Sequence, residues 1–293
     1  MRWLRIIRPQ TLFASFCPVA VALLTQSEPV SWPVAIVTII CALALQILSN
    51  LINDYYDYRR GTDKKGRVGF RRALAEGEVT ERQMLIACLI TLGVCLLTGF
   101  YLVWIGGWVI LLIGLTALLF AWLYTATSKS LSYLGIADIF VFLYYGVIAA
   151  CGTYYLQISA LHQSSIAQSD QSSILPVFCA GAVCGLISMC VLLINNLRDI
   201  EDDRAVGKRT LPVRFGRKAG LGLMLVVVLL MPIFAYMAYG WSLPMLVIVP
   251  ALVLCETVRK AEGKKYNLCL LAAGLINALY TILVAVNCAI LIK

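Results

Sequence analysis

Long apolar runs, each close to the length of a membrane-crossing helix, alternate along the chain with short connections that are either basic or uncharged. The runs fall at about 11–27, 32–53, 84–105, 108–126, 133–157, 174–197, 219–239, 242–257 and 268–291. A helix rising 1.5 Å per residue needs about 20 apolar residues to cross the ~30 Å hydrocarbon core of a bilayer. The pattern predicts an all-α polytopic membrane protein, nine transmembrane helices in a single domain over residues 1–293. Pro18 interrupts the first run, and Pro244 and Pro250 interrupt the eighth. A membrane helix tolerates such breaks when neighbours satisfy the freed backbone groups.

Charge sharpens this picture. Arg2, Arg5 and Arg8 precede the first run, and Arg59, Arg60, Lys64, Lys65, Arg67, Arg71, Arg72 and Arg82 occupy the second connection. Lys129 lies in the fourth connection, Arg198 to Lys218 in the sixth, and Arg259 to Lys265 in the eighth. All but Lys293 of the 24 Lys and Arg residues therefore fall on one side of a nine-span topology. The connections at 27–32, 105–108, 157–173 and 239–242 carry none. Cytoplasmic loops carry the Lys/Arg excess, so the N-terminus is expected in the cytoplasm and the C-terminus outside, in the cell's inner membrane.

Composition agrees. Hydrophobic residues make up 61% of the chain and charged ones 13%, with a mean hydropathy of +0.88. A soluble domain carries about 25% charged residues, so lipid has to cover much of this surface. The +9 formal charge is accounted for by the cytoplasmic loops and needs no nucleic acid. Nothing calls for an obligate protein partner. Residues 1–25 have the outline of a signal peptide, but we expect an uncleaved first helix behind an interfacial stretch carrying Trp3, Leu4, Ile6 and Ile7. The eleven cysteines sit in or beside apolar runs with no C-x-x-C pair, as small fillers of helix interfaces do. The single histidine, His162, lies at a polar, Ser/Gln-rich connection and is not a catalytic candidate.

Two helix ends stand out. The second run continues into Asn50, Asn53, Asp54 and Asp57, three or four residues apart and so on one helical face. Asp63 follows beyond Gly61, a helix-ending residue. The sixth run ends in Asn195, Asn196, Asp199, Asp202 and Asp203 with the same spacing. Like charges one turn apart destabilise a helix by a few tenths of a kcal/mol, and carboxylates near hydrocarbon cost more. A hard divalent cation removes both penalties, and Mg²⁺ binds through a few carboxylates plus substrate phosphates. Basic groups follow each acidic face: Arg67, Arg71 and Arg72 after the first, Lys208, Arg209 and Arg214 after the second. Acid and base at one mouth point to a Mg²⁺-bridged diphosphate with Lys and Arg on its remaining oxygens.

A diphosphate held there leaves its hydrocarbon tail among the helices or in lipid. When the diphosphate departs, the allylic carbon becomes cation-like, and aromatic faces can shelter it. Tyr55, Tyr56, Tyr124, Tyr133, Tyr144 and Tyr145 are the candidates. Asp138 is the only acid well inside the fifth run. An intramembrane carboxylate is a functional-site hypothesis by default, here one that orients an acceptor or takes its proton.

These motifs carry a resemblance. Arg8-Pro9-Gln10-Thr11-Leu12, Asn53-Asp54-Tyr55-Tyr56-Asp57 with Gly61-Thr62-Asp63, and Tyr124-Thr125 before Lys129 form its first part. Tyr133-Leu134-Gly135 before Asp138, Asn195-Asn196-Leu197-Arg198-Asp199-Ile200-Glu201-Asp202-Asp203 and Gly207-Lys208-Arg209-Thr210-Leu211 complete it. Over nearly its whole length the chain resembles the UbiA superfamily of intramembrane prenyltransferases, and within it the branch acting on 1,4-dihydroxy-2-naphthoate. The resemblance implies a nine-helix bundle around a central cavity and two Mg²⁺ ions held by Asn50, Asp54, Asp57, Asp199 and Asp203. It implies substrate contacts from Asn53, Asp63, Arg71, Arg72, Lys129, Asn196, Arg198 and Lys208, with Asp138 and Tyr124 at the reaction. It also implies prenyl transfer from a polyprenyl diphosphate to the carboxyl-bearing ring carbon, with loss of CO₂, giving demethylmenaquinone.

The residues themselves do not separate this acceptor from 4-hydroxybenzoate or homogentisate. A transporter, the reading from another class, predicts charged groups through the whole membrane depth. Here the acids cluster at the cytoplasmic mouth.

Overall fold

A computed structural model describes residues 2–61, 72–123, 135–163 and 173–291. Among them the chain is helical throughout, with no strand: α1 (Arg2–Ile7), α2 (Pro9–Thr25), α3 (Trp32–Arg59) and α4 (Glu81–Leu123) come first. Then come α5 (Ala137–Phe142), a π turn (Leu143–Val147), α6 (Ile148–Gln163), α7 (Leu175–Arg198), α8 (Ile200–Ala205), α9 (Leu211–Phe215) and α10 (Arg217–Tyr239). A 3₁₀ turn (Leu243–Val247), α11 (Ile248–Arg259) and α12 (Lys265–Leu291) close the order. Among the described residues, six helical stretches are long and apolar enough to cross a membrane, beginning at Trp32, Glu81, Ala137, Leu175, Arg217 and Lys265. With their exposed apolar faces, such as Leu89, Ile90, Leu97 and Phe100 on α4, they make this a multi-pass membrane protein.

Several expectations change in detail. The third and fourth runs, read as two helices, are two helices within α4 that follow each other with no loop, across a kink at Gly107 (φ 65°, ψ −151°). Only glycine adopts that conformation cheaply, and it sits between the two runs. Pro18 does not interrupt α2, which carries it as a buried interior residue. Pro244 lies in the 3₁₀ turn and Pro250 in the first turn of α11, where a missing N–H costs nothing. Ile6 is buried against Leu51, Tyr55 and Met84 rather than turned to headgroups, while Leu4 of the same short helix is exposed. His162 lies in the last turn of α6 as an exposed helical residue, not in a loop.

The core is built around α7. Its Ala180, Gly181, Ala182, Cys184 and Gly185 are small and buried, which lets neighbouring backbones approach closely. It packs on α2, α5 with the π turn, α10 and α12. All eleven cysteines are free and at least partly buried, as expected for apolar filler.

Side-chain contacts set the directions of the helices. Asn50 Nδ2 donates to Ile7 O and Thr11 Oγ1, both at 3.0 Å, so the end of α3 meets the start of α2. A Cβ on Gly274 would lie 2.8 Å from Gln10 O, and Cys288 Sγ donates to Leu24 O at 3.2 Å, so α12 runs parallel to α2. Arg198 Nη1 donates to Asn267 Oδ1 at 2.9 Å and Tyr280 Oη to Ala180 O at 3.4 Å, so α7 runs antiparallel to α12. The carboxyl-bearing ends of α3 and α7 therefore lie at the same end of the bundle. At the opposite end, Ser31 N–H donates to Gln157 Oε1 at 2.7 Å, and the Thr25 and Tyr239 hydroxyls meet at 2.6 Å.

Candidate active site

The end of α3 buries its polar face instead of presenting it to water. Asn50, Asp54 and Asp57 are all buried, Asp54 at 2% exposure. An isolated carboxylate there would pay a large desolvation cost, and the structure supplies cations. Asp54 Oδ1 accepts from both Arg8 Nη2 and Arg72 Nη1, and Arg72 Nη2 lies 3.8 Å from Asp57 Oδ2. Asn50, besides its bonds to α2, accepts from Gln46 Nε2 at 3.4 Å.

The end of α7 follows the same plan with different partners. Arg198 Nε and Nη2 each donate to one oxygen of Asp199 at 2.7 Å, a bidentate fork. Lys208 Nζ lies 3.0 Å from Asp203 Oδ1, and Lys208 N–H donates to Asp203 O at 2.9 Å, folding the loop after α8 back onto the acids. The sequence pattern placed Asn195 to Asp203 on one continuous helix. Instead, α7 ends at Asp199 (φ −101°, ψ 18°) and α8 begins at Ile200, although Asp203 N–H still donates to Asp199 O at 2.8 Å. Asp199, Asp203 and Asn196 are buried and Asp202 is exposed, so the break leaves Asp202 off the acidic face.

Asp138 is buried near the start of α5, and among the described residues its Oδ1 has no hydrogen-bond partner. The start of α5 belongs to the same end of the bundle. Gly135 is pressed on the Arg209 carbonyl oxygen so closely that a Cβ would overlap it, and Arg209 follows Lys208 in the acid-binding loop. Asn53 is part-buried one turn before Asp57. Asp63, Arg71, Tyr124 and Lys129 lie outside the described residues, as do Arg67 and Tyr133.

Sequence reasoning missed three partners. Arg8 sat in a quoted motif without a role, Thr11 likewise, and Asn267 carried no signal. Pairing in space, not spacing in sequence, reveals them. Arg217, counted among the loop cations, instead caps α11: its Nη2 donates to the Arg259 and Ala261 carbonyls, both at 3.1 Å. The last turn of a helix leaves such carbonyls without partners.

The donor set is chemically that of a hard-cation and phosphate site: four buried carboxylates and amide oxygens, interleaved with guanidinium and ammonium groups. Among the described residues no three acids form a closed metal cage by themselves.

The UbiA prenyltransferase family model matches residues 14–267. The chain is 36% identical over 227 residues to the 1,4-dihydroxy-2-naphthoate octaprenyltransferase of Escherichia coli K12, covering 73% of this chain and 68% of that protein. It is 32% identical over 233 residues to the protein of the same description from Haemophilus influenzae, covering 74% and 70%. A UbiA homolog from Archaeoglobus fulgidus, solved bound to DMAPP and Mg²⁺, shares the fold with a TM-score of 0.65 at 19% identity, over 99% of this chain and 100% of that one. The apo UbiA homolog from Aeropyrum pernix K1 superposes with a TM-score of 0.67 at 17% identity, over 93% and 96%. The chain belongs to the UbiA prenyltransferase family and is a membrane prenyltransferase, most similar to those that prenylate dihydroxynaphthoate.

Proposed function

We propose that the protein transfers a polyprenyl group from a polyprenyl diphosphate to 1,4-dihydroxy-2-naphthoate, releasing diphosphate and CO₂, in a Mg²⁺-dependent reaction at the cytoplasmic face of the inner membrane. It acts as a single integral-membrane domain of nine spans, with the N-terminus inside and the C-terminus outside. The observation that carries this reading is the pair of buried, cation-matched acidic helix ends at one end of an otherwise apolar bundle. The likeness to naphthoate octaprenyltransferases supports the acceptor, and the Mg²⁺- and DMAPP-bound homolog supports the cofactor and donor class.

Asn50, Asp54, Asp57, Asp199 and Asp203 are the residues that would hold the cation. Bound Mg²⁺ supplies Lewis-acid neutralisation of the departing diphosphate. Arg72, Arg198 and Lys208 lie against these same carboxylates, so a metal-bound diphosphate lets them turn from carboxylate to phosphate oxygens without leaving the site. Asn53, Asp63, Arg71, Lys129 and Asn196 complete the headgroup contacts. Set around the departing anion, Arg72, Arg198 and Lys208 stabilise it more strongly as charge develops on it.

On the acceptor side, Asp138 takes the proton of the hydroxyl beside the carboxyl-bearing ring carbon, with Tyr124 at the same reaction site. As the allylic C–O bond breaks, its electron pair leaves with the diphosphate and the ring carbon bonds to the prenyl carbon. The carboxylate on that carbon now lies beta to a ketone. CO₂ departs, its bonding pair returns to the ring, and the proton returns to oxygen. The product leaves as the quinol, the reduced form of demethylmenaquinone.

The test is product mass spectrometry with purified protein in detergent, dihydroxynaphthoate, a polyprenyl diphosphate and Mg²⁺. Release of label from the substrate carboxyl as CO₂ is expected. Product from 4-hydroxybenzoate or homogentisate and none from dihydroxynaphthoate would replace the acceptor. No diphosphate release with any acceptor would overturn prenyl transfer, and turnover without a sealed compartment excludes transport as the sole activity.

A further inference from the structure

Of the four candidate tyrosines among the described residues, the structure separates one from the others. Tyr55 is engaged by Arg59, whose guanidinium lies 5.8 Å from its ring centroid and whose Nη1 donates to its hydroxyl at 3.4 Å. Tyr56 is stacked edge-on with Tyr55 and accepts from Trp122 Nε1 at 3.3 Å. Tyr144 is edge-on to Phe120, with ring centroids 5.0 Å apart. Tyr124 and Tyr133 lie outside the described residues.

Tyr145 differs in its backbone. It sits in the π turn with non-helical angles, φ −93° and ψ 17°. Such single-turn insertions re-aim a side chain at a local cost and recur at functional sites. Its next neighbour is clamped: a Cβ on Gly146 would lie 2.6 Å from Gly185 Cα and 2.7 Å from Gly181 O, both on α7. On the other side, the Tyr145 hydroxyl lies close to the Ser49 side chain of α3. The residue thus spans from α7, which ends in Asp199, to α3, which ends in Asp54 and Asp57.

Its depth follows from helix geometry. Ser49 lies four residues before Asn53, one turn or about 6 Å deeper in the bundle. Tyr145 lies seven residues beyond Asp138, two turns or about 10 Å deeper. A diphosphate held at the acidic ends places its first prenyl carbons just on the membrane side of the headgroup, at the level of Ser49.

We propose that the Tyr145 ring faces the allylic carbon as the diphosphate departs, with the π turn and the crossing of Gly146 on α7 fixing that face. This rests on the prenyl-transfer reading above. The contribution is electrostatic: the ring's negative face attracts the developing cation, and no bond to Tyr145 forms or breaks. The hydroxyl is not the reacting group.

The test compares kcat for Tyr145→Phe, Tyr145→Leu and Ser49→Ala in detergent-purified protein, using one acceptor that the wild type turns over. Phe keeps the face and is expected within about threefold of wild type. Leu removes it and is expected to lower kcat about 30-fold, or about 2 kcal/mol at 1.36 kcal/mol per decade, with KM for the prenyl diphosphate little changed. Ser49→Ala is expected to stay near Phe. Replacing Tyr145 by phenylalanines of increasing ring fluorination should lower kcat stepwise, a response that a packing role would not give. Thermal unfolding of each variant identifies folding defects. If Phe falls as far as Leu, if Ser49→Ala matches Leu, if the fluorinated series is flat, or if Leu turns over like wild type, the proposal is overturned. A wild type that consumes no prenyl diphosphate with any acceptor would instead overturn the prenyl-transfer reading beneath it.

Discussion

Gly146→Ala tests the close crossing on which the placement of Tyr145 depends. The new Cβ would sit 2.6 Å from Gly185 Cα and 2.7 Å from both Gly181 O and Gly185 N, where ordinary contact begins at 3.4 Å. The opposing atoms are backbone and cannot rotate aside, so the π turn and α7 have to part by close to an ångström. Overpacking of this kind costs about 1–3 kcal/mol. The opposing gain from Ala over Gly in a helix is at most about 1 kcal/mol, and is smaller at a π turn. Overpacking wins, leaving a net loss of about 1–2 kcal/mol. That corresponds to a midpoint lower by about 2–8 °C for a chain of this size. Misplacing a group near the reacting atoms by an ångström costs up to about 10²-fold in rate, so kcat falls by more than stability alone would suggest. Thermal unfolding followed by tryptophan fluorescence, with kcat at saturating substrates, reads both. Gly99→Ala is the control, since nothing lies within 4 Å of its added Cβ and a gain of about 0.5–1 kcal/mol is expected. A Gly146→Ala protein that unfolds at or above the wild-type midpoint and keeps its kcat would refute the crossing.

Further outcomes follow from the paired acidic ends. Asp54→Ala and Asp199→Ala should each abolish turnover while the protein still elutes as a folded, monodisperse species; unchanged turnover in either would remove that residue from the site. Asp54→Ala should also lower the unfolding midpoint, because Arg8 and Arg72 lose their shared buried partner and removing one member of a buried ion pair is destabilising. Chelation with EDTA should stop product formation and added Mg²⁺ should restore it, measured by diphosphate release; full activity in EDTA would remove the divalent metal from the mechanism. Asp138→Asn should lower kcat and raise KM for the acceptor, leaving KM for the prenyl diphosphate near wild type. An effect confined to the donor would move Asp138 to the diphosphate side.

Hydrophobic periodicity alone located the helices, because a lipid-facing helix has to be apolar over its whole crossing length. The ends of α3 and α7 were legible for a related reason: a turn-spaced row of carboxylates beside hydrocarbon is too costly to be incidental. Local sequence could not say what neutralises each acid. Arg8 is 46 residues from Asp54 and Asn267 is 69 residues from Arg198, so only packing of α2 and α12 against α3 and α7 brings them together. The helix break at Asp199, which leaves Asp202 exposed, was equally hidden, since helical spacing continues through it. The choice among tyrosines belonged wholly to tertiary structure. Tyr144 and Tyr145 are adjacent and chemically identical in the sequence. Only the approach of Gly146 to Gly181 and Gly185 and the reach to Ser49 give one of them a distinct position. Composition and spacing thus determined the solvent, the helices and the class of chemistry, because those depend on free energies local to each segment. The pairing of charges and the aim of one aromatic ring depend on which backbones can touch, and that was decided only when the helices packed.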